Sequence, residues 1–131
     1  MEKLTSRKNE YIRALRRLSA EAQFRAERGE YTCDGIKTLN EALAFGADVT
    51  SVLWKERAQP VPGLSCAVQY AVGEELFDYA SPMKNSPGPL FTVKIPSEDT
   101  AAPIRRAIVL ESVQDPGNVG TVIRTANAFG I

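Results

Sequence analysis

Residues Ala107–Ile131 read AIVLESVQDPGNVGTVIRTANAFGI, and the rest of the chain is organised around them. The stretch opens on the apolar run Ala107-Ile108-Val109-Leu110, short and β-branched enough to read as a buried strand. Asp115-Pro116-Gly117 is turn chemistry, because proline presets φ and glycine accepts positive φ. Asn118 is a helix N-cap candidate, and Val119–Phe129 reads as a helix that Gly130 stops. The order is strand, glycine-rich loop, helix. In open α/β sheets such a loop lies at the carboxyl end of a strand, where ligands bind. On spacing alone the unit is equally ordinary scaffolding.

Length and composition narrow the classes. A chain of 131 residues suits one domain, or one domain and a fragment of another. Its 44% hydrophobic content argues against disorder. No apolar run approaches the roughly 20 residues of a membrane helix, and no signal-peptide core is evident. A cytoplasmic protein with no membrane partner is the expectation. Cys33 and Cys66 sit in apolar surroundings and read as free buried thiols. The chain has no histidine, which excludes Ser-His-Asp, Cys-His and histidine–metal chemistry, and no metal site is expected.

Net charge is zero, but its distribution is uneven. Residues 1–28 hold eight basic groups against four acidic ones, so the first fifth is +4 and the remainder −4. Screening limits the reach of the distant acids to about 8–10 Å, so a local basic patch still attracts phosphates.

Taken in order, Ser6 and Asn9 are both candidate caps for a helix reaching about Ala26, with Tyr11, Leu15, Leu18 and Ala22 as its apolar stripe. Arg13, Arg16, Arg17, Arg25 and Arg28 fall largely off that stripe and are the candidate RNA-binding residues; a plain solvated face has the same pattern. Tyr31-Thr32-Cys33 is a strand candidate. Ile36–Phe45 reads as a helix with Ile36, Leu39 and Leu43 inward and Gly46 as its stop. Val49–Trp54, Ala67–Val72 and Leu90–Ile95 read as strands, and Glu74–Tyr79 as a short helix with acids in its first turn. Residues 55–63 and 81–89 are loops. The alternation implies an α/β layer with a partly parallel sheet. Pro96–Pro103, polar and flanked by prolines, reads as a linker.

Asp115-Pro116-Gly117-Asn118-Val119-Gly120, followed by Arg124-Thr125-Ala126-Asn127-Ala128-Phe129-Gly130, resembles the first motif of the SpoU (TrmH) family of RNA ribose 2′-O-methyltransferases. That motif reads roughly DP-x-N-x-G-x-x-x-R-x-A-x-x-F-G, and every fixed position is matched. Arg25–Glu41, with Gly29, Asp34-Gly35-Ile36 and Glu41-Ala42, is similar to the start of the substrate-binding domain that precedes many SpoU catalytic domains. Ser6–Leu18 is similar to the S-x-x-N leader of such proteins. Two departures stand out: Asp34, where the family usually has Glu, and Ser86-Pro87-Gly88-Pro89 before the last strand.

The resemblance implies an α/β fold. Residues 1–96 would be an RNA substrate-binding domain, an α/β/α sandwich of the ribosomal-protein L30e kind, and 97–104 a linker. Residues 105–131 would be the first strand–loop–helix of a SPOUT (α/β knot) methyltransferase domain, with the knot absent. It implies methyl transfer from S-adenosylmethionine to a ribose 2′-hydroxyl in structured rRNA or tRNA, and a homodimeric parent protein. Asn118 and Arg124 are the implied catalytic residues. A guanidinium stays protonated in proteins, so Arg124 suits holding phosphate or ribose and stabilising alkoxide charge better than acting as a base, although a depressed pKa stays open. The later motifs that build the cofactor pocket are missing, so the cofactor-binding residues are unknown. The expectation is a truncated methyltransferase that is inactive alone, with Val122, Ile123, Ala126 and Phe129 left without cover. A non-enzymatic RNA-binding module of the same sandwich is the alternative.

Overall fold

The computed structural model describes residues 1–59, 61–64, 67–97 and 105–131. Cys66 and most of the expected linker, residues 98–104, lie outside them. The chain divides into two compact units, Met1–Pro96 and Ser97–Ile131.

The first unit contains β1 (Glu2–Leu4), α1 (Glu10–Ala20), α2 (Ala22–Arg28), β2 (Glu30–Asp34), α3 (Ile36–Ala44), β3 (Val49–Lys55), β4 (Val68–Val72), α4 (Glu74–Ala80) and β5 (Leu90–Lys94). The strands form one sheet in the order β1-β4-β3-β5-β2. β4 pairs in parallel with β1 and β3, whereas β5 runs antiparallel to β3 and β2. The sheet is thus partly parallel, as the alternation of elements implied. β1 went unseen in the sequence because three residues carry no readable period. It sits at an edge, where exposed Glu2 and Lys3 discourage further pairing.

Two apolar cores cover the sheet. One joins Ile12 and Leu15 of α1 and Phe77 of α4 to Leu53, Val72 and Leu90. The other joins Leu39 of α3 to Val49, Val52, Trp54, Phe91 and Val93. Residues 53 and 54, and residues 90 and 91, alternate between the two, as the two-residue period of a strand requires. The result is three layers, helix–sheet–helix. A bulge between Val49 and Ser51 lets Val49 and Val52, three residues apart, enter the same core.

The first helix departs from its expected course. Asn9 is the cap, its Oδ1 accepting from Tyr11 N at 2.9 Å, while Ser6 shapes the preceding turn. The helix breaks at Glu21, whose φ of −112° and ψ of 110° are extended. Ala22 is therefore exposed instead of completing the stripe, and Ile12 is buried. Ser19 Oγ donates to Leu15 O at 3.0 Å, and the Arg25 guanidinium takes up the freed carbonyl of Leu18 at 2.9 Å. These hydrogen bonds stabilise the end of α1 without proline or glycine. In α3, Leu39 is fully buried but Ile36 is 44% exposed, because the helix begins there above an edge strand.

The second unit holds α5 (Pro116–Ala128). Two expectations are corrected here. Ala107–Leu110 forms no strand: nothing among the described residues pairs with it, and Val109 is 88% exposed. A strand is completed by a neighbour, not by its own side chains. The N-cap is Asp115, not Asn118. Asp115 Oδ1 accepts from Gly117 N at 2.7 Å and Pro116 supplies the first helical φ, so the helix starts three residues earlier than expected. It ends near the expected place, with Gly130 at φ +71°.

Candidate functional site

Helix α1 is amphipathic. Burying Ile12, Leu15 and Leu18 turns Arg13, Arg16 and Arg17 outward, and all three are exposed. The Arg16 guanidinium lies 4.1 Å from the centroid of the Tyr79 ring, and that of Arg7 lies 4.8 Å from it. Arg17 stacks on Phe24 at 3.9 Å and pairs with Glu21, Nη2 to Oε2 at 2.8 Å. The hydrogen bond from Arg17 holds the Glu21 carboxyl below its ordinary pKa and raises that of the guanidinium.

The other two arginines are differently employed. Arg25 is half-buried and caps α1 through Leu18 O and, at 3.4 Å, Ser19 O. Arg28 faces Glu30 at 3.5 Å. Among the described residues, Arg13 and Arg16 have no recorded carboxylate partner within salt-bridge distance. They border a shallow hollow of about 330 Å³ with Arg17, Ala20, Glu21 and Tyr79. Two guanidinium forks three residues apart on one helix face, one of them over an aromatic ring, suit phosphates and stacked bases. Tyr79 was missed in the sequence because it comes from α4, and no pattern within α1 announces it.

In the second unit, Asn118 and Arg124 are both exposed on α5. Six residues separate them, about 9 Å along the axis and about 120° around it. The helix therefore does not bring them together. Arg124 Nη2 donates to Thr121 Oγ1 at 3.4 Å, and Thr121 Oγ1 donates to Gly117 O at 2.9 Å. Arg124 and Asn127 border an open hollow of about 560 Å³ with Ile108, Leu110, Ile123 and Ile131. No described side chain of residues 105–131 is buried. An S-adenosyl group needs an enclosing wall and fixed polar partners for its adenine and carboxylate. These residues by themselves supply neither, so they do not fit that cofactor alone.

The two departures noted in the sequence meet in space. Asp34 accepts from Ser81 Oγ at 2.9 Å and from Ser86 Oγ, which in turn accepts from Gly88 N at 2.9 Å. Gly35 N donates to Pro89 O at 2.9 Å. A carboxylate at residue 34 thereby fastens the loop before β5 to the end of β2. The residue pair is structural.

No family model matches the chain. A 23S rRNA (guanosine(2553)-2′-O)-methyltransferase of Bacillus subtilis is 28% identical over an alignment of 132 positions that covers 100% of this chain and 52% of the relative. An uncharacterised tRNA/rRNA methyltransferase of Synechocystis is 30% identical over an alignment of 138 positions that covers 98% of this chain and 50% of the relative. The chain thus spans about half the length of these curated relatives. Among solved structures, an RNA 2′-O ribose methyltransferase superposes with a TM-score of 0.73 at 24% identity, over 96% of this chain and 52% of the other. A TrmH-family protein of Porphyromonas gingivalis gives 0.68 at 28% identity, over 92% and 48%. The SpoU methyltransferase AviRb of Streptomyces viridochromogenes, bound to its cofactor AdoMet, gives 0.71 at 22%, over 94% and 51%. The chain is thus similar to SpoU and TrmH-family RNA methyltransferases along almost its whole length and spans about half of theirs.

Proposed function

We propose that this chain is the RNA-recruiting domain and first catalytic motif of an RNA ribose 2′-O-methyltransferase that uses S-adenosylmethionine. Residues 1–96 recruit structured rRNA or tRNA, 97–104 link, and 105–131 begin the methyltransferase domain. The parent enzyme works in the cytoplasm as a homodimer. No helix among the described residues is long and apolar enough to cross a membrane. The observation that carries it is the match to a 23S rRNA 2′-O-methyltransferase across the full chain, α5 included.

Recruitment falls to Arg13 and Arg16, with Arg17 at the border of the patch. Arg25 and Arg28 contribute charge, while their guanidinium groups are engaged within the domain. Arg124 holds the ribose or its neighbouring phosphate and stabilises negative charge on the 2′-oxygen as its proton leaves. Asn118, a turn and a half earlier on the same helix, acts on the ribose and not on Arg124 directly.

The experiment has two parts. The 131-residue chain is tested against rRNA and tRNA by filter binding over a salt series, and for methyl transfer from labelled S-adenosylmethionine. Binding that weakens with salt and no methyl transfer are expected. Salt-insensitive or absent binding would overturn recruitment, and measurable methylation would overturn the inactivity of this chain. In the longer enzyme, Arg124→Ala should abolish turnover with little loss of RNA affinity. Unchanged turnover would make Arg124 scaffold.

A further inference from the structure

The α1-covered face of the sheet changes character along its length. At Leu53, Val72 and Leu90 it is aliphatic. Elsewhere it carries hydroxyls, since the β3 bulge places Thr50 and Ser51 beside Thr92. Tyr11 Oη lies 2.9 Å from Ser51 Oγ, Ser51 Oγ contacts Thr92 Oγ1, and Thr92 Oγ1 lies 2.7 Å from Thr50 Oγ1. The small side chain of Ala14 leaves a cleft of about 250 Å³ over this row.

Hydroxyls in such a place would be a net cost unless paired, and these pair with one another. Three hydrogen bonds join these four hydroxyls, and the fourth proton, on Thr50 when Tyr11 donates into the row, has only a long 3.5 Å contact with Thr92 O. Half-buried Thr50 at the outer end of the row therefore presents a weakly held donor and a spare lone pair. One wall is aromatic: the rings of Tyr11 and Tyr70 lie 4.4 Å apart, and Val68 beside them is 54% exposed. The one ion pair at the rim, Arg28 with Glu30, is self-neutralising.

We propose that this cleft accepts a single unpaired nucleobase of the bound RNA. A flat, uncharged ligand with donors and acceptors on one edge matches the hydroxyl row, and its face matches the tyrosine wall. The volume holds one base. Among the described residues, the charged groups at the cleft, Arg28 and Glu30, face each other, which leaves neither a cation for a phosphate nor a counter-charge for a charged side chain. The inference rests on the RNA-recruitment reading for its biological ligand, but not for its test.

The test is a ¹H–¹⁵N NMR titration of the 131-residue chain with adenosine and with uridine, using ribose as the control. Saturable movement of the Thr50, Ser51, Tyr70 and Thr92 amides is expected with at least one nucleoside, at dissociation constants of about 1 mM, and none with ribose. Thr50→Val should weaken that binding about tenfold through the lost hydrogen bond. Ala14→Leu, a good helix former that fills the cleft from above, should abolish it while the circular dichroism stays native. No movement with either nucleoside would overturn the proposal, as would equal movement with ribose or unaltered binding in both variants. Loss of salt-dependent RNA binding in Arg13→Ala/Arg16→Ala, with nucleoside shifts intact, tests recruitment separately. RNA binding without nucleoside shifts would sink the cleft and leave recruitment standing.

Discussion

Burial of the Tyr11 phenol, opposed by its hydrogen bond to Ser51, raises its pKa far above the ordinary 10.0. The sign of the consequence follows from proton counting. Above pH 10 the unfolded chain releases this proton and the folded chain keeps it, so stability falls as pH rises. Equilibrium unfolding between pH 9 and pH 11 should show a falling limb that Tyr11→Phe flattens, although the same change costs about 1 kcal/mol at neutral pH through the lost hydrogen bond. The arginines make a second comparison at this scale. Arg25→Ala should lower stability by about 1–2 kcal/mol, because carbonyls at the end of α1 lose their donor, and should alter RNA affinity little. Arg16→Ala should do the reverse, leaving the melting temperature nearly unchanged and reducing the salt slope of RNA binding by about 1. All five arginines were legible as basic residues off the apolar stripe. Their division into capping, paired and available groups was not, since it depends on Leu18 O, Glu21, Glu30 and Tyr79, set by a helix break and by another element.

At the scale of elements, caps explain what the pattern of apolar residues leaves open. Asn9 was legible as a cap because its side chain acts on its own neighbourhood, and Asn9→Ala should destabilise the first unit by about 1 kcal/mol in urea unfolding. Asp115 was legible as part of a turn but not as the cap, since two good candidates, Asp115 and Asn118, stand three residues apart and the proline between them favours the earlier start. The loop before β5 depends on long-range contacts. Gly88 has φ +73°, and a Cβ there would lie 2.8 Å from Phe77 Cζ, inside a core that includes Leu76 and Ala80. Gly88→Ala should therefore cost about 1–3 kcal/mol from strain and overpacking together, measured as a drop in urea midpoint at constant slope. Asp34→Ala should loosen the same loop from the other side, by removing the acceptor of Ser81 and Ser86.

At the scale of the whole molecule, the layered α/β character was legible because strand and helix periods alternate along residues 30–95. The strand order was not. Placing β5 between β3 and β2 is decided by pairing across more than forty residues, as between Val49 and Val93, which no local window contains. The division of stability follows from where the core lies. Every buried side chain among the described residues falls between Leu4 and Val93. The second unit has a 13-residue helix and exposed Ile123 and Phe129, at 60% and 75%. A helix of that length is marginal in water without a packed face. A chain ending at Pro96 should therefore melt within about 2 °C of the full chain, less than the roughly 4–8 °C that 1 kcal/mol shifts a domain of this size. Hydrogen exchange of the full chain should show slow amides in β3, β4 and β5 and nearly unprotected amides throughout α5. Protection of α5 equal to that of β3 would mean that its apolar side chains are covered in solution. The first unit would then no longer carry the stability of the chain alone, and the truncation should lower the melting temperature by several degrees.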